Sequence, residues 1–362
     1  MKKRAALAVL VMAFLGCSAC GKKGELLPPI IRTPQKAERI HVFQRGRNAV
    51  LEWVNPTRSV DGTPLAGISE VEIWQMEAPL PAAEGAPPPD AETFAGRAKL
   101  AMAIRREDFQ KYARIGPDES QEMSVSLKIL DKPPFAGEYT FALRVRDDRE
   151  RESEFSEPLS LTPRTVPSPP GSLSAAVFED RIEVRWEAPK ENIDGSSPAM
   201  IAGYSVYRAE GEGYPLALGA VLVKEPLYED RDFAFGISYV YRVRASSTET
   251  APFLESDDSE PVRVEAKDVF PPLAPARLTS IAGRGFIALS WDSAPEKDFA
   301  GYKVWRRLEE EEFSLLVSQL RENSYTDHTV EKKRRYYYAV SSLDHSGNEG
   351  PRTIVAADSL KD

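Results

Sequence analysis

The chain has 362 residues, a formal charge of −9 at pH 7 and 42% hydrophobic residues. That length exceeds one ordinary domain and supports two or three modest cores, while the acidic balance disfavours nucleic acid and anionic lipid headgroups as partners. Its 29 prolines outnumber 22 glycines, which favours short elements with rigid connections and an all-β chain.

At the N-terminus, Lys2-Lys3-Arg4 precedes an uncharged apolar run of twelve residues from Ala5 to Gly16, shorter than a bilayer span requires. Small residues and two cysteines follow in Gly16-Cys17-Ser18-Ala19-Cys20-Gly21, which places a processing site directly after the apolar run. The pattern resembles a bacterial lipoprotein signal. In that class the cysteine after small residues receives a diacylglyceryl thioether, the preceding peptide is cut and the new amino terminus is acylated. The resemblance implies lipidation at Cys20, with Cys17 the less favoured alternative because Phe14 stands where leucine is preferred. It also implies a signal peptide over 1–19 and a lipidated tether over 20–34, with Pro28, Pro29 and Pro34. Membrane lipid is then the first expected partner. Residues 1–19 carry three cations and no acid, so their loss takes the charge from −9 to −12. At about 0.8 kcal/mol per buried methylene, two or three acyl chains suffice to hold such an acidic protein at a membrane. Gly21 after the cysteine implies, by the same resemblance, the outer membrane. The segment Cys20-Gly21-Lys22-Lys23-Gly24-Glu25-Leu26, with Pro28-Pro29, further resembles the start of small lipoproteins that assist the lipopolysaccharide translocon, with Glu25 where that group has proline. Removal of Cys17 and acylation of Cys20 leave no thiol for a disulfide.

Laid against itself, the remainder repeats three times. Val50-Leu51-Glu52-Trp53 matches Ile182-Glu183-Val184-Arg185-Trp186 and Ile287-Ala288-Leu289-Ser290-Trp291, each followed by a proline at position 56, 189 or 295. The period-two alternation predicts a half-buried strand, and the proline ends it. A second strand follows as Val71-Glu72-Ile73-Trp74, Tyr204-Ser205-Val206-Tyr207 and Tyr302-Lys303-Val304-Trp305. It begins 18 residues after the tryptophan in the first two copies and 11 after it in the third; Asp61-Gly62 and Asp194-Gly195 share the intervening position. A third strand, headed by Tyr139, Tyr239 and Tyr336, follows the second by 35 residues in copy two and 34 in copy three, but by 68 in copy one. Turn residues such as Ser153-Glu154-Phe155-Ser156, Asp257-Asp258-Ser259-Glu260 and Asp344-His345-Ser346-Gly347-Asn348-Glu349 precede a last edge strand.

These residues resemble fibronectin type III domains. The resemblance implies three tandem immunoglobulin-like β-sandwiches, with Trp53, Trp186 and Trp291 as core anchors and Tyr139, Tyr239 and Tyr336 as tyrosine corners bonded to nearby backbone. Proline clusters divide the chain into modules over 35–163, 164–268 and 269–362. In the first, the Pro/Ala-rich stretch from Pro79 to Pro89 reads as an exposed loop, and Phe94 to Ile115 includes a short helix near Glu107 to Tyr112.

Motifs for catalysis are absent from the sequence. No Gly-x-Ser-x-Gly elbow, phosphate-cradling glycine loop or His-Glu-x-x-His pattern occurs, and His41, His328 and His345 lack metal-ligand spacing. Neither a metal nor a cofactor is expected, and no catalytic residue is assigned. The basic run Lys332-Lys333-Arg334-Arg335 reads as a solvated turn facing Glu309 to Glu312 or an acidic partner. The expected function is a non-enzymatic, lipid-anchored envelope protein whose modules bind proteins or polysaccharide. An assembly factor acting through its lipidated N-terminal segment is the alternative, and an undetected hydrolase ranks last.

Overall fold

The computed structural model describes residues 32–79, 87–115, 121–131, 137–250 and 252–360. Cys17, Cys20, the tether up to residue 31 and the Pro/Ala residues 80–86 lie outside the described residues. Internal contacts divide the chain into two compact units, one ending at Thr165 and one beginning at Val166.

The first unit holds strands β1 (Glu38–Arg45), β2 (Asn48–Val54) and β3 (Ile68–Ala78), helix α1 (Ala91–Arg97), β4 (Lys99–Arg105), helical turn α2 (Phe109–Tyr112), β5 (Ala113–Ile115), β6 (Gln121–Lys128), β7 (Glu138–Asp147) and β8 (Leu159–Leu161). One sheet has the order β1-β2-β6-β5 and the other β4-β3-β7-β8. Along β7, Phe141, Leu143 and Val145 point inward and are at most 1% exposed. In the other sheet Ala49, Leu51 and Trp53 of β2 are likewise at most 1% exposed, the alternation expected of two sheets packed over one core.

In the second unit the first sandwich comprises β9 (Gly171–Val177), β10 (Ile182–Glu187), β11 (Gly203–Glu210), β12 (Leu216–Ala217), β13 (Leu227–Asp230), β14 (Ser238–Ser246) and β15 (Val262–Glu265). The next comprises β16 (Thr279–Gly283), β17 (Phe286–Ser290), β18 (Phe299–Leu308), β19 (Ser314–Leu320), β20 (Ser324–Asp327), β21 (Arg335–Asp344) and β22 (Thr353–Asp358). Their sheets run β13-β10-β9 with β12-β11-β14-β15, and β16-β17-β20 with β19-β18-β21-β22. All pairings within these sheets are antiparallel. In all three sandwiches the first, second and fifth principal strands form one sheet and the fourth, third, sixth and seventh the other. That order is the fibronectin type III-like arrangement, so the chain is all-β with three tandem sandwiches of this type.

Two local devices recur. After the tryptophan strand, Asp61 Oδ1 accepts from the Thr63 amide and hydroxyl, and Asp194 Oδ1 accepts likewise from Ser196. Gly62 and Gly195 follow at φ +81° and +85°, a region glycine enters without steric penalty. After the sixth strand, Ser153 and Ser156 donate their amides to Val145 and Leu143 and accept those residues' amides on their hydroxyls; Ser256 and Ser259 do the same for Ala245 and Val243. The serines thus continue the ladder through their side chains.

The long spacing in the first copy holds folded elements beyond the Pro/Ala stretch, most of which lies outside the described residues. A helical turn does occupy 109–112, but Lys99–Arg105 is a sheet strand, with Leu100, Met102 and Ile104 alternating, and Ala91–Arg97 is a helix capped by Asp90 Oδ1 accepting from the Thr93 amide. A seven-residue helix is unstable alone. It persists because Phe94, 0% exposed, packs on Met76 and Ala142 and is edge-on to Phe155 at 5.6 Å.

Candidate interaction surfaces

The tryptophans and tyrosines singled out in the sequence are interior. Trp53, Trp186 and Trp291 are 1%, 5% and 4% exposed. Trp53 Nε1 donates to Asn55 Oδ1 at 2.8 Å, while Trp186 and Trp291 stand edge-on to Tyr204 and Tyr302 at 5.2 and 5.1 Å. The Tyr139 hydroxyl donates to the Ile129 carbonyl at 3.0 Å, and the Tyr239 and Tyr336 hydroxyls accept from the amides of Ala234 and Glu331 at 2.9 and 2.8 Å. These groups hold sheets and loops together and offer nothing to a ligand.

Beside them lies a cluster that the sequence reading passed over. Tyr241 donates to Asp230 Oδ2 at 2.7 Å and Arg208 bonds the same oxygen at 2.7 Å. In the next sandwich Tyr338 and Arg306 both reach Asp327 Oδ2 at 2.8 Å, and Thr329 gives Oδ1 its amide and hydroxyl. Burial alone would raise the Asp327 carboxyl; Thr329, Tyr338 and Arg306 outweigh it and hold the group below the usual carboxylate range. Burial, reinforced by the carboxylate, pushes the Tyr241 and Tyr338 hydroxyls far above the ordinary phenol value. Tyr-x-Asp at 228–230 and 325–327, with arginine four residues after Tyr204 and Tyr302, was the available signal.

The outer face of the sheet built on the third strand is chemically richer in each sandwich. Trp74, Tyr207 and Trp305 point outward from the third strand, and an arginine lies over each ring: Arg144 at 5.1 Å, Arg244 at 3.9 Å and Arg352 at 3.8 Å. A carboxylate from the loop after the sixth strand joins each group. Glu152 pairs with Arg144 and Arg146 at 2.8 Å, Glu255 with Arg244 at 3.0 Å and with the Tyr207 hydroxyl, and Glu349 with Lys303 at 2.7 Å. Burial would lower the Arg244 guanidinium, but Tyr207, Asp258 and Glu255 more than compensate, so the cation is retained. Glu349, opposed by burial but bonded by Lys303 and Ser341, is held below its ordinary value. In the first sandwich Glu72, 5% exposed, also accepts from Trp74 Nε1, Arg144 and Arg146.

Elsewhere, Asp268, Asp298 and Asp344 bring one carboxylate oxygen each within 4.8 Å of the others. Ser346 donates to Asp268 at 2.7 Å, and the Asn348 amide and side chain donate to Asp344 at 2.7 Å, so hydrogen bonds account for two of the three carboxylates. His328 packs on Phe286, and His345 Nδ1 lies 2.7 Å from the Asp298 carbonyl. Arg334 pairs with Glu331 and Arg335 with Asp358. Among the described residues no helix is long and apolar enough to cross a membrane.

No family model matches the chain. It is 29% identical over 86 residues to an amylopullulanase of Thermoanaerobacterium thermosulfurigenes, covering 24% of this chain and 4% of that protein. A Thermoanaerobacterium saccharolyticum amylopullulanase is 26% identical over 91 residues, covering 25% of this chain and 7% of that protein. The chain thus spans a small fraction of the length of these relatives. Among solved structures it is similar to the FN1–FN3 domains of chicken CNTN1, with a TM-score of 0.27 and 16% identity over 91% of this chain and 100% of that chain. A two-domain fibronectin type III segment of chicken tenascin gives 0.37 and 13%, over 52% and 99%. The assignment of three tandem fibronectin type III-like sandwiches rests on the strand order and cores described above.

Proposed function

We propose that this protein is a non-enzymatic lipoprotein, anchored through acylated Cys20 in the cell envelope with the outer membrane as its destination, whose sandwiches bind other proteins or polysaccharide. One observation carries the binding part: each sandwich spends its interior residues on a core and gathers an aromatic ring, an arginine and a carboxylate on an outer sheet face. Aromatic residues and arginine are the side chains enriched in interfaces and dominant in their energetics. The similarity to amylopullulanases extends over less than 100 residues, the length of a single sandwich, and supports shared modules rather than shared catalysis. Anchoring rests on the resemblance of the first 21 residues to a lipoprotein signal.

Intact mass spectrometry of the membrane-purified protein tests the anchor. The expected mass lacks residues 1–19 and carries a diacylglyceryl group and an amide-linked acyl chain on Cys20; an unmodified mature chain in the soluble fraction would overturn it. A pulldown from detergent-solubilised envelope tests binding, with a lipidated unrelated protein as control. Retention of no protein or glycan beyond the control would overturn that half. The resemblance of Cys20 to Pro29 to translocon-assisting lipoproteins favours a second reading, in which that segment is the active part. A chain deleted for residues 35–362 that restores the phenotype of a null strain would select it.

A further inference from the structure

Across the outer face of the first sandwich, Leu100, Trp74 and Ala142 are cross-strand partners in one row. The third sandwich carries the same residues in the same register, Leu315, Trp305 and Ala339, and extends the row to Ile354 on its last strand. The second has Ala217, Tyr207 and Arg242 there, and so breaks the pattern. In the first sandwich the row is met by α1, whose Phe94 is fully buried against Met76 and Ala142, with Trp74 and Phe155 packed alongside. That helix reads Ala91-Glu92-Thr93-Phe94-Ala95-Gly96-Arg97 after its cap Asp90, with its acid in the first turn beside Phe94 and its one base in the last.

In the third sandwich Leu315 and Ile354 stay 47% and 55% exposed on the same face. Two arginines flank them: Arg352 stands over Trp305 and is shared with Glu349 at 3.7 Å, and Arg307 lies over Tyr337 at 4.3 Å with its Nη1 turned to the carbonyls of Leu308 and Glu309.

We propose that this face, resting on the binding role argued above, docks an amphipathic helix of another protein that resembles α1: an aromatic side chain toward the Leu315 to Ile354 row and carboxylates toward Arg307 and Arg352. The internal precedent supplies the geometry, and the two arginines, of which Arg307 is held by rings and carbonyls rather than by an acid, supply the sign. Main-chain addition to the sheet edge is a different mode and would use neither.

The test places a benzoylphenylalanine photocrosslinker in the full-length protein at position 315 or 354, with position 281 as control and position 216, 64% exposed in the second sandwich, as a comparison site. Ile281 is 69% exposed on the other sheet of the same sandwich. Crosslinking is done in the producing cells and the crosslinked peptides are sequenced. The expected result is one protein captured at 315 and 354 at least tenfold over 281, through a helix-length peptide holding an aromatic residue and two or more acids. The Arg307→Glu/Arg352→Glu variant should lose that adduct at least tenfold. Ile354→Glu, at an exposed edge, serves as a second variant should the first not fold. A glycan, a lipid, a second copy of this chain or a peptide without those acids as the adduct would overturn the proposal, as would insensitivity to charge reversal. Adducts from position 216 of the second sandwich with none at 315 or 354 would end this docking site and leave the binding role standing. Silence at every position would end both.

Discussion

Asp327 is 1% exposed yet charged, because Thr329, Tyr338 and Arg306 together supply four donors to its two oxygens. Its folded-state pKa lies below the unfolded value of about 3.9, so the stabilisation it brings is complete above that pH and is lost as pH falls through the folded value. Thermal unfolding followed between pH 6 and pH 2.5 should therefore show the third sandwich weakening below about pH 4. Asp327→Asn should lower stability at pH 7 by about 2–3 kcal/mol, the cost of leaving a charged hydrogen-bonding partner uncompensated, and should flatten that acid limb. Unchanged acid sensitivity in the variant would assign it to other carboxylates, Glu349 first. Gly350 is a second residue-scale case. A Cβ there would sit 2.2 Å from the Pro272 carbonyl oxygen, so Gly350→Ala should destabilise by about 1–3 kcal/mol through forced backbone movement, read as a lower denaturant midpoint with the slope unchanged.

Helix α1 shows how an element can exist only by virtue of its seat. Phe94→Ala removes the side chain that fixes it and should cost about 3 kcal/mol, the low end for a buried phenylalanine. Amide exchange over 91–98 should then approach the rate of an open chain, with Trp74 fluorescence moving to the red; protection retained over those residues would refute the account. The serine ladder makes a milder prediction. Ser156→Ala and Ser259→Ala each leave a core-strand amide, that of Leu143 or Val243, without its side-chain acceptor. Each should cost about 1 kcal/mol and leave the fold intact by circular dichroism. At this scale the self-alignment exposed the three repeated strands, since period-two alternation is a local property. It did not expose α1 or β4, which fall in a stretch the other two copies lack, although Leu100, Met102 and Ile104 alternate and Asp90 precedes Thr93 at capping distance.

For the molecule as a whole, attachment and folding are separable. The proposed acylation site precedes every described element, so Cys20→Ser should leave the unfolding transitions of the sandwiches unchanged while moving the protein from the detergent phase to the aqueous phase in a partition assay. A variant that still partitions with detergent would show that attachment has another source. Composition, strand period and the recurrent tryptophans and tyrosines by themselves determined an all-β chain of three like modules, because alternation and turn chemistry are set by neighbours along the sequence. Only the tertiary structure decided which outward faces are covered and which carboxylates are buried. Arg208 and Asp230, separated by 22 residues, pair, and Leu315 and Ile354, on opposite edges of one sheet, fall in one cross-strand row; such relations exist only once strand register and sheet order are fixed.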